Sequence, residues 1–523
     1  MSTATLDTAA TDAVTASPPS LRDRLVPPWP ASSRWDWGGP LLVTGIAAWI
    51  RFMNLGTPHA FVMDETFYAK DGFSLIEHGY ERAFVEGAND RILAGDLDVF
   101  ADGPAFVVHP PLGKWLIGAG EWLFGVDPTG WRVATALFGT LTVLLLARIT
   151  RRLTRSTLLG CIAGFMLALD GLHIALSRTA FLDVLLTFFV LSAFGALLID
   201  RDRMRAQAAA WAVDNPSPDR AERGPSYGWR RWRIAAGVLL GLACGSKWSG
   251  LYFLLAFGLL SLVWDWSTRR AVGIRHAFPG TARRDFFPAA VSLGLVGVAT
   301  YVLTWSGWFA TTGGYARDWA VGRDTAFPFI PEAVRSLWHY HELMFNSAAG
   351  IHADHAYQSA PWSWPFMARP VSMHWDDSVT GCGADRCVSA VLGLGNPAIW
   401  WMGVAALLFC MWLWVGRRDW RGGAVLLGFA AGWLPWFAFL DRTTFSWYLV
   451  VSLPFTIMAI TLAFGHVLGP VEASARRRSW GAGVVGAALM LVVVAFIYFV
   501  PLWTGQTISY GEWLDRMWFA RWY

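Results

Sequence analysis

Charge is what this chain has least of. Only 15% of its 523 residues are Asp, Glu, Lys or Arg, while 55% are hydrophobic and mean hydropathy is +0.39. A domain of this length that folds in water needs more polar surface, so the deficit excludes an ordinary soluble protein and favours a polytopic membrane one. The net charge is only +4, and the basic residues gather in short loops between apolar runs. That placement makes them topology signals and excludes a nucleic-acid footprint. Cysteine is scarce as well: Cys161, Cys244 and Cys410 fall inside apolar runs as small buried hydrophobes, and Cys382 and Cys387 sit in a polar loop. Neither a Cys pair at finger spacing nor a His-Glu-x-x-His pattern accompanies His339, His341, His352, His355 and His374, so their clustering does not by itself make a zinc site. There is no short internal repeat, and no soluble domain of usual size fits between the apolar runs. Residues 1–38 begin with a stretch rich in Ala, Thr, Ser and Pro that reads as a disordered cytoplasmic tail, not a cleaved signal peptide.

What the chain does have is aromatic residues and long apolar windows. The 33 Trp and 34 Phe suit broad interfacial belts or an amphipathic substrate. A spanning helix needs roughly 20 mostly apolar residues, and eleven such windows are present: 39–57, 131–149, 156–174, 179–199, 233–249, 250–266, 287–308, 397–416, 423–440, 446–466 and 481–502. The cut near Gly250 is the weakest, because 234–264 also reads as one long bent span. Arginines cluster at 148–152, 201–205 with 230–233, 269–284, 417–418 and 476–478, all on one side of an eleven-span chain. The positive-inside rule then puts these loops and the N-terminus in the cytoplasm. The expectation is an all-α integral membrane protein with a transmembrane domain over 39–502. Two long extracytoplasmic loops, 58–130 and 309–396, carry interfacial helices, and an extracytoplasmic tail follows at 503–523.

Several charges stand in awkward places. Asp64 and Glu65 are adjacent within about ten residues of the first window; acids there cost free energy unless they face water, a partner or a substrate. They read either as a headgroup-level acid pair or as a catalytic base with a neighbouring acid. Lys114, in His109-Pro-Pro-Leu-Gly-Lys114-Trp115, either snorkels to the interface or grips a phosphate as a point charge. Arg51, Arg132, Arg178 and Lys247 lie in or beside apolar windows, where ionisable groups usually line a cavity; for Arg178, Asp183 one turn on is the obvious partner. Cys382 and Cys387 share an oxidising loop, where a local disulfide is expected. Hydrolysis of a glycoside needs two carboxylates, because a poor leaving group must be protonated. A lipid-phosphate sugar already carries a good anionic leaving group and needs one base for the acceptor hydroxyl plus cations for the phosphate. One acidic pair and scattered cations match that second requirement, with no metal cluster needed.

These residues resemble the protein O-mannosyltransferases, within the membrane glycosyltransferases that take sugars from polyprenyl phosphates. The resemblance runs from Arg51-Phe-Met-Asn-Leu-Gly through Asp64-Glu65, His109-Pro-Pro-Leu-Gly-Lys114, Ser177-Arg-Thr-Ala-Phe-Leu-Asp183 and Gly245-Ser-Lys247-Trp248-Ser-Gly to Tyr357-Gln-Ser359-Ala-Pro-Trp362-Ser-Trp364-Pro365. The last run is the most specific. The resemblance implies a GT-C-like fold and inverting transfer of mannose from polyprenyl phosphate mannose to Ser or Thr hydroxyls of secreted proteins, at the outer face of the cell membrane. It implies Asp64 as base and Glu65 positioning acceptor or base. It also offers Arg51, His109, Lys114, Arg132, Arg178, Asp183, Lys247, Trp248, Ser359, Trp362 and Trp364 as candidate contacts for lipid phosphate, sugar or peptide. Phosphate contact is the expectation for Arg132 and Lys247. No cofactor is called for, and a divalent ion is left open. The second long loop has only about 90 residues, like the shorter bacterial form and unlike eukaryotic members with a large extra lumenal domain. The secretion translocon would be a sensible partner, since acceptors emerge unfolded. Two other readings remain: a lipid-phosphate-sugar transferase acting on a glycolipid or cell-wall glycan, and a polytopic lipid or solute transporter, which should show Gly/Pro-broken spans paired in two halves.

Overall fold

Long apolar runs in a bilayer leave the backbone no hydrogen-bond partner but itself, and helices are the result. In a computed structural model of the protein, residues 20–216, 223–470 and 472–523 are described. The expected disordered tail over 1–38 lies outside the described residues as far as residue 19. Its remainder is ordered: α1 (Leu21–Leu25) is closed by a capping box between Ser20 and Asp23, and α2 (Trp35–Phe52) begins three residues before the tail was expected to end. The first long loop folds into α3 (Glu65–His78), α4 (Ala88–Leu93) and α5 (Leu112–Phe124). Then come α6 (Pro128–Thr154), α7 (Thr157–Ala168), α8 (Gly171–Ser177), α9 (Leu182–Asp214), α10 (Arg231–Ser246) and α11 (Gly250–Ala271). Short α12 (Ala277–Arg284) leads into a span made of α13 (Phe286–Ala289), a π-helical turn and α14 (Val296–Thr304). The second long loop holds α15 (Ser306–Ala310) and α16 (Glu332–Ala349). Four further helices, α17 (Pro397–Val415), α18 (Trp420–Trp433), α19 (Leu453–Leu468) and α20 (Ala475–Thr504), precede a final turn, α21 (Tyr510–Asp515).

Among the described residues eight helices are long and apolar enough to cross a membrane, or nine with the bent α7–α8 pair taken as one span. The other two of the eleven expected windows hold α2 and α10. At 16 residues α10 is short for a bilayer, and the apolar character of α2 is diluted by Asp36, Pro40 and Arg51. The uncertain cut near Gly250 is a real break, because α10 ends at Ser246 and Lys247 adopts an extended backbone before α11 begins. A methyl group on Gly250 would collide with the backbone at Ala243 and Cys244, so this close turn requires glycine. The α9 window and the Ser446–Leu468 window are 83% buried and form the centre, whereas α20, 17% buried, turns Met490, Leu491, Val494 and Ile497 outward to lipid.

Five short strands were not anticipated. β1 (Arg82–Phe84) pairs antiparallel with β2 (Phe100–Pro104) in the first long loop. β3 (Val371–Asp376), β4 (Cys387–Gly393) and β5 (Thr507–Ser509) make an antiparallel sheet that ties the C-terminal tail to the second long loop. Cys382 and Cys387 are joined in a disulfide within the β3–β4 connection.

The α7–α8 pair bends by 63° at Leu169–Asp170, and a bend frees backbone groups that lipid cannot satisfy. Arg51 donates to the freed carbonyls of Leu167 and Ala168 at 3.2 and 3.4 Å. Asp170 accepts from the His173 and Asn396 amides and from the Trp400 indole at 3.0, 3.1 and 2.8 Å. Asp170→Ala strands three buried donors, each costing about 1–3 kcal/mol. Its thermal unfolding midpoint in detergent should fall well below wild type, and an unchanged midpoint would show that the bend does not depend on this carboxylate.

Candidate active site

The site is built where α2 hands the chain to the first long loop. Glu65 is fully buried, accepting from Arg132 Nε at 2.7 Å, Arg132 Nη2 at 2.8 Å, the Val62 amide at 2.8 Å and the Ala180 amide at 2.9 Å. Arg132, also fully buried, spends its other donors on the carbonyls of Leu55, Pro58 and Ala60. This pair folds the stretch from Leu55 to Glu65 tightly enough to hold Met63 at φ 49°, a left-handed value that a methionine adopts only under constraint. Asp64 follows directly. It is kept out of the Glu65 network, with part of its surface open to a cleft.

Six parts of the chain converge on that cleft. Tyr68, one turn on in α3, donates its hydroxyl to Asp64 Oδ2 at 3.2 Å and stands 5.9 Å, centre to centre, from the His109 ring that precedes α5. Asp183, in the first turn of α9, accepts from Lys247 Nζ at 2.8 and 2.9 Å. Lys247, in the α10–α11 break, also lies 4.8 Å over the ring of Tyr448, which belongs to the 3₁₀ stretch Ser446–Ser452. Arg442, in the turn after α18, donates Nε to the Ala348 carbonyl at 2.7 Å, and among the described residues its two terminal nitrogens make no hydrogen bond or ion pair. The site therefore sits at the end of the bundle where α6 begins, opposite the end where α6 finishes in Arg151 and Arg152.

Electrostatics separates these groups. Loss of water pushes the Asp64 carboxyl above the usual carboxylate range; Lys247 pulls it down, and the Asp183 charge pushes it further up. Burial, reinforced by Lys247, Lys114 and Arg442, holds His109 well below an ordinary histidine, so it stays a neutral hydrogen-bonding ring.

Most of the cations singled out in the sequence are elsewhere. Arg51 closes the α7–α8 bend, and Arg178 donates to the carbonyls of Ile50, Arg51, Met53 and Asn54, capping the end of α2. Neither faces the cleft, and the expected Arg178–Asp183 pair is replaced by Lys247–Asp183. All five Arg132 donors are filled by Glu65 and backbone carbonyls, leaving none over for the phosphate contact expected of it. Both Glu65 oxygens are occupied by Arg132 and backbone amides, closing this carboxylate into the turn beside Asp64. Lys114, 1% exposed, pairs with Glu81 at 2.9 Å and Asp71 at 3.2 Å. Burial raises Asp71 to about 6 despite Lys114, and raises the neighbouring Glu121 carboxyl well above its usual value.

The tryptophan motif serves as a wall. Trp364 is fully buried between Trp436 and Tyr448, its indole N–H shared by the Ser359 carbonyl and hydroxyl at 3.0 and 3.1 Å, while Trp362 points outward, 60% exposed. Trp248 donates to the Tyr301 hydroxyl at 2.9 Å, which lies 2.6 Å from His341 Nε2, coupling the Lys247 break to α16. The five loop histidines form no ligand set among the described residues. Sequence reasoning missed Tyr68, Tyr448 and Arg442. A cation in the short turn after residue 440 was the available signal for Arg442, of the same kind that drew notice to Arg178.

Two family models match the chain: dolichyl-phosphate-mannose-protein mannosyltransferase over residues 101–303, and the C-terminal four-span region of protein-O-mannosyltransferase over 333–522. A polyprenol-phosphate-mannose–protein mannosyltransferase of Mycolicibacterium smegmatis is 39% identical over 531 residues, covering 99% of each chain. One from Mycobacterium tuberculosis is 41% identical over 498 residues, covering 92% of this chain and 91% of its own. Among solved structures, the donor-bound Pmt1–Pmt2 complex of S. cerevisiae protein O-mannosyltransferase superposes with a TM-score of 0.71 at 15% identity, covering 96% of this chain and 94% of that one.

Lys114→Met leaves the buried Asp71 and Glu81 carboxylates without their cation and should cost about 3–5 kcal/mol of stability, read as a lower unfolding midpoint. A lysine that gripped donor phosphate would instead leave stability intact and raise the donor KM.

Proposed function

The chain belongs to the protein O-mannosyltransferase family, and from that premise we propose that it transfers mannose from polyprenyl phosphate mannose to Ser or Thr hydroxyls of secreted proteins, with inversion, at the outer face of the cell membrane. Asp64 is the general base. The observation that carries this reading is one cleft holding a carboxylate whose single side-chain hydrogen bond comes from Tyr68, together with an arginine whose terminal nitrogens make no hydrogen bond or ion pair among the described residues. In the reaction the acceptor oxygen bonds to the anomeric carbon from the face opposite the phosphate. Its proton passes to Asp64, and the carbon–oxygen bond to phosphate breaks with its electron pair on the leaving polyprenyl phosphate. Arg442 and Lys247 supply positive charge to that phosphate, neutral His109 supplies a hydrogen bond, and Tyr68 orients the base. The outer-face assignment is supported by the arginines at the opposite end of the bundle.

The test uses the purified enzyme with radiolabelled polyprenyl phosphate mannose and a Ser/Thr-rich peptide. Wild type should label the peptide and Asp64→Asn should lose about 10²–10⁴-fold in kcat. Failure of wild type that still binds donor would redirect the search to a glycan acceptor. The base must be ionised, and its folded pKa is raised. Activity should therefore fall with decreasing pH at values above the ordinary carboxylate range of about 4. An acid limb at or below that value would contradict the assignment. Arg442→Gln should lower kcat/KM for donor about 10–100-fold, the worth of a charge-assisted hydrogen bond, with partial rescue by Arg442→Lys. Unchanged kinetics would remove Arg442 from the phosphate.

A further inference from the structure

On the outward side of the tryptophan motif lies a cavity of about 310 Å³, lined by Gln358, Ser359, Trp362, Arg369 and Arg521 among others. None of Asp64, Tyr68, Lys247 or Arg442 lines it, so it is separate from the reaction cleft. Arg369 donates Nε and Nη2 to the Ala356 carbonyl at 3.0 and 2.6 Å and Nη1 to the Arg521 carbonyl at 3.0 Å. Of its five N–H donors, two are left over. The Arg521 side chain is exposed and makes no hydrogen bond or ion pair among the described residues, and no carboxylate lines the cavity. Two positive charges thus share one hollow with no anion.

The depth of the hollow suggests what fills it. Trp401, near the start of the spanning helix α17, donates its indole N–H to the Phe366 carbonyl at 3.4 Å and packs 6.2 and 6.4 Å from Trp518 and Phe519. These aromatics are 41–54% exposed, and with Trp362 they ring the end of a span, the level where amphipathic rings meet lipid headgroups. Arginines at that level attract anionic headgroups, and their planar forks match phosphate oxygens.

We propose that this cavity binds the phosphodiester headgroup of an anionic phospholipid. Arg369 and Arg521 hold the phosphate, Gln358 and Ser359 face the headgroup hydroxyls, and the acyl chains descend beside Trp362 and Phe366. An acidic acceptor polypeptide is the competing occupant, which the exposed aromatic rim disfavours.

The experiment is native mass spectrometry of the full chain released from nanodiscs of phosphatidylcholine with or without phosphatidylglycerol. Wild type should retain phosphatidylglycerol in preference to phosphatidylcholine. Arg521→Gln, which alters an exposed side chain and keeps the backbone carbonyl that Arg369 uses, should lower that retention about tenfold, and the Arg369→Gln/Arg521→Gln double variant should lower it further. The unfolding midpoint of Arg521→Gln is followed in parallel to show that the fold is intact. Equal retention by wild type and both variants would overturn the proposal. So would displacement of the lipid by glycerol phosphate at equal concentration, which marks a site for soluble phosphate, or by an acidic peptide, which marks an acceptor site.

Discussion

Glu65 accepts four hydrogen bonds from three separate parts of the chain, and the place of Asp64 follows from them. A buried ion pair repays the loss of hydration only when its geometry is good and its remaining donors and acceptors are filled. Here both conditions hold: the Arg132 guanidinium turns its unused edge to three carbonyls of the loop that the carboxylate closes. The pair therefore orders backbone, and the neighbouring acid is left with a single tyrosine partner. Two adjacent carboxylates of opposite fate come from one turn, one closed into protein and one presented to the cleft.

The same accounting separates the remaining cations. A helix broken inside a membrane exposes carbonyls that only protein donors can satisfy, and Arg51 and Arg178 serve two such places, the α7–α8 bend and the end of α2. Lys114 neutralises acids that allow α3 to lie against α5, where Gly72 and Gly118 bring the two backbones together. Charges whose hydrogen-bonding capacity is filled by the protein are scaffold. Charges with capacity left over, Asp64 and Arg442 above all, are available to a ligand, and Lys247 stands between, held by Asp183 yet facing Tyr448.

That distinction marks how far the sequence could be read. Every helix among the described residues that is long and apolar enough to cross a membrane falls in an expected apolar window, because roughly 20 residues of hydrophobicity summed together outweigh local detail. The same summing hid the bend at Leu169–Asp170, which falls inside a single window. Strands of three to seven residues, one of them from the C-terminal tail, gave no periodic signal. Among site residues, Asp64 and Lys247 were legible as charges in costly positions. Hydropathy reports that such a charge needs a partner and does not report whether that partner is protein or substrate, so Arg51, Lys114, Arg132 and Arg178 carried the same signal as Lys247. The nearest acid in sequence was also a poor guide: Asp183 bonds Lys247, 64 residues away, in preference to Arg178, five residues away. Arg442 carried no more than the signal of a cation in a short turn, and only folding brings it beside His109 and Tyr448.

The burial that raises the Asp64 pKa is compatible with its work as a base because of how charge moves in the proposed reaction. Before transfer, the cleft holds one negative charge on Asp64 and one on the donor phosphodiester. Afterwards Asp64 is neutral and the released polyprenyl phosphate carries two. The total is unchanged, so the protein need not solvate a new charge; it need only favour the second arrangement over the first. A desolvated carboxylate gains by taking a proton, and Lys247 and Arg442 gain by facing a more highly charged phosphate. Both ends of the relocation thus favour transfer, with no metal or second acid required by the charge balance. A water-filled cleft would weaken each contribution, which is a physical reason for the wall formed by Trp364 against Tyr448.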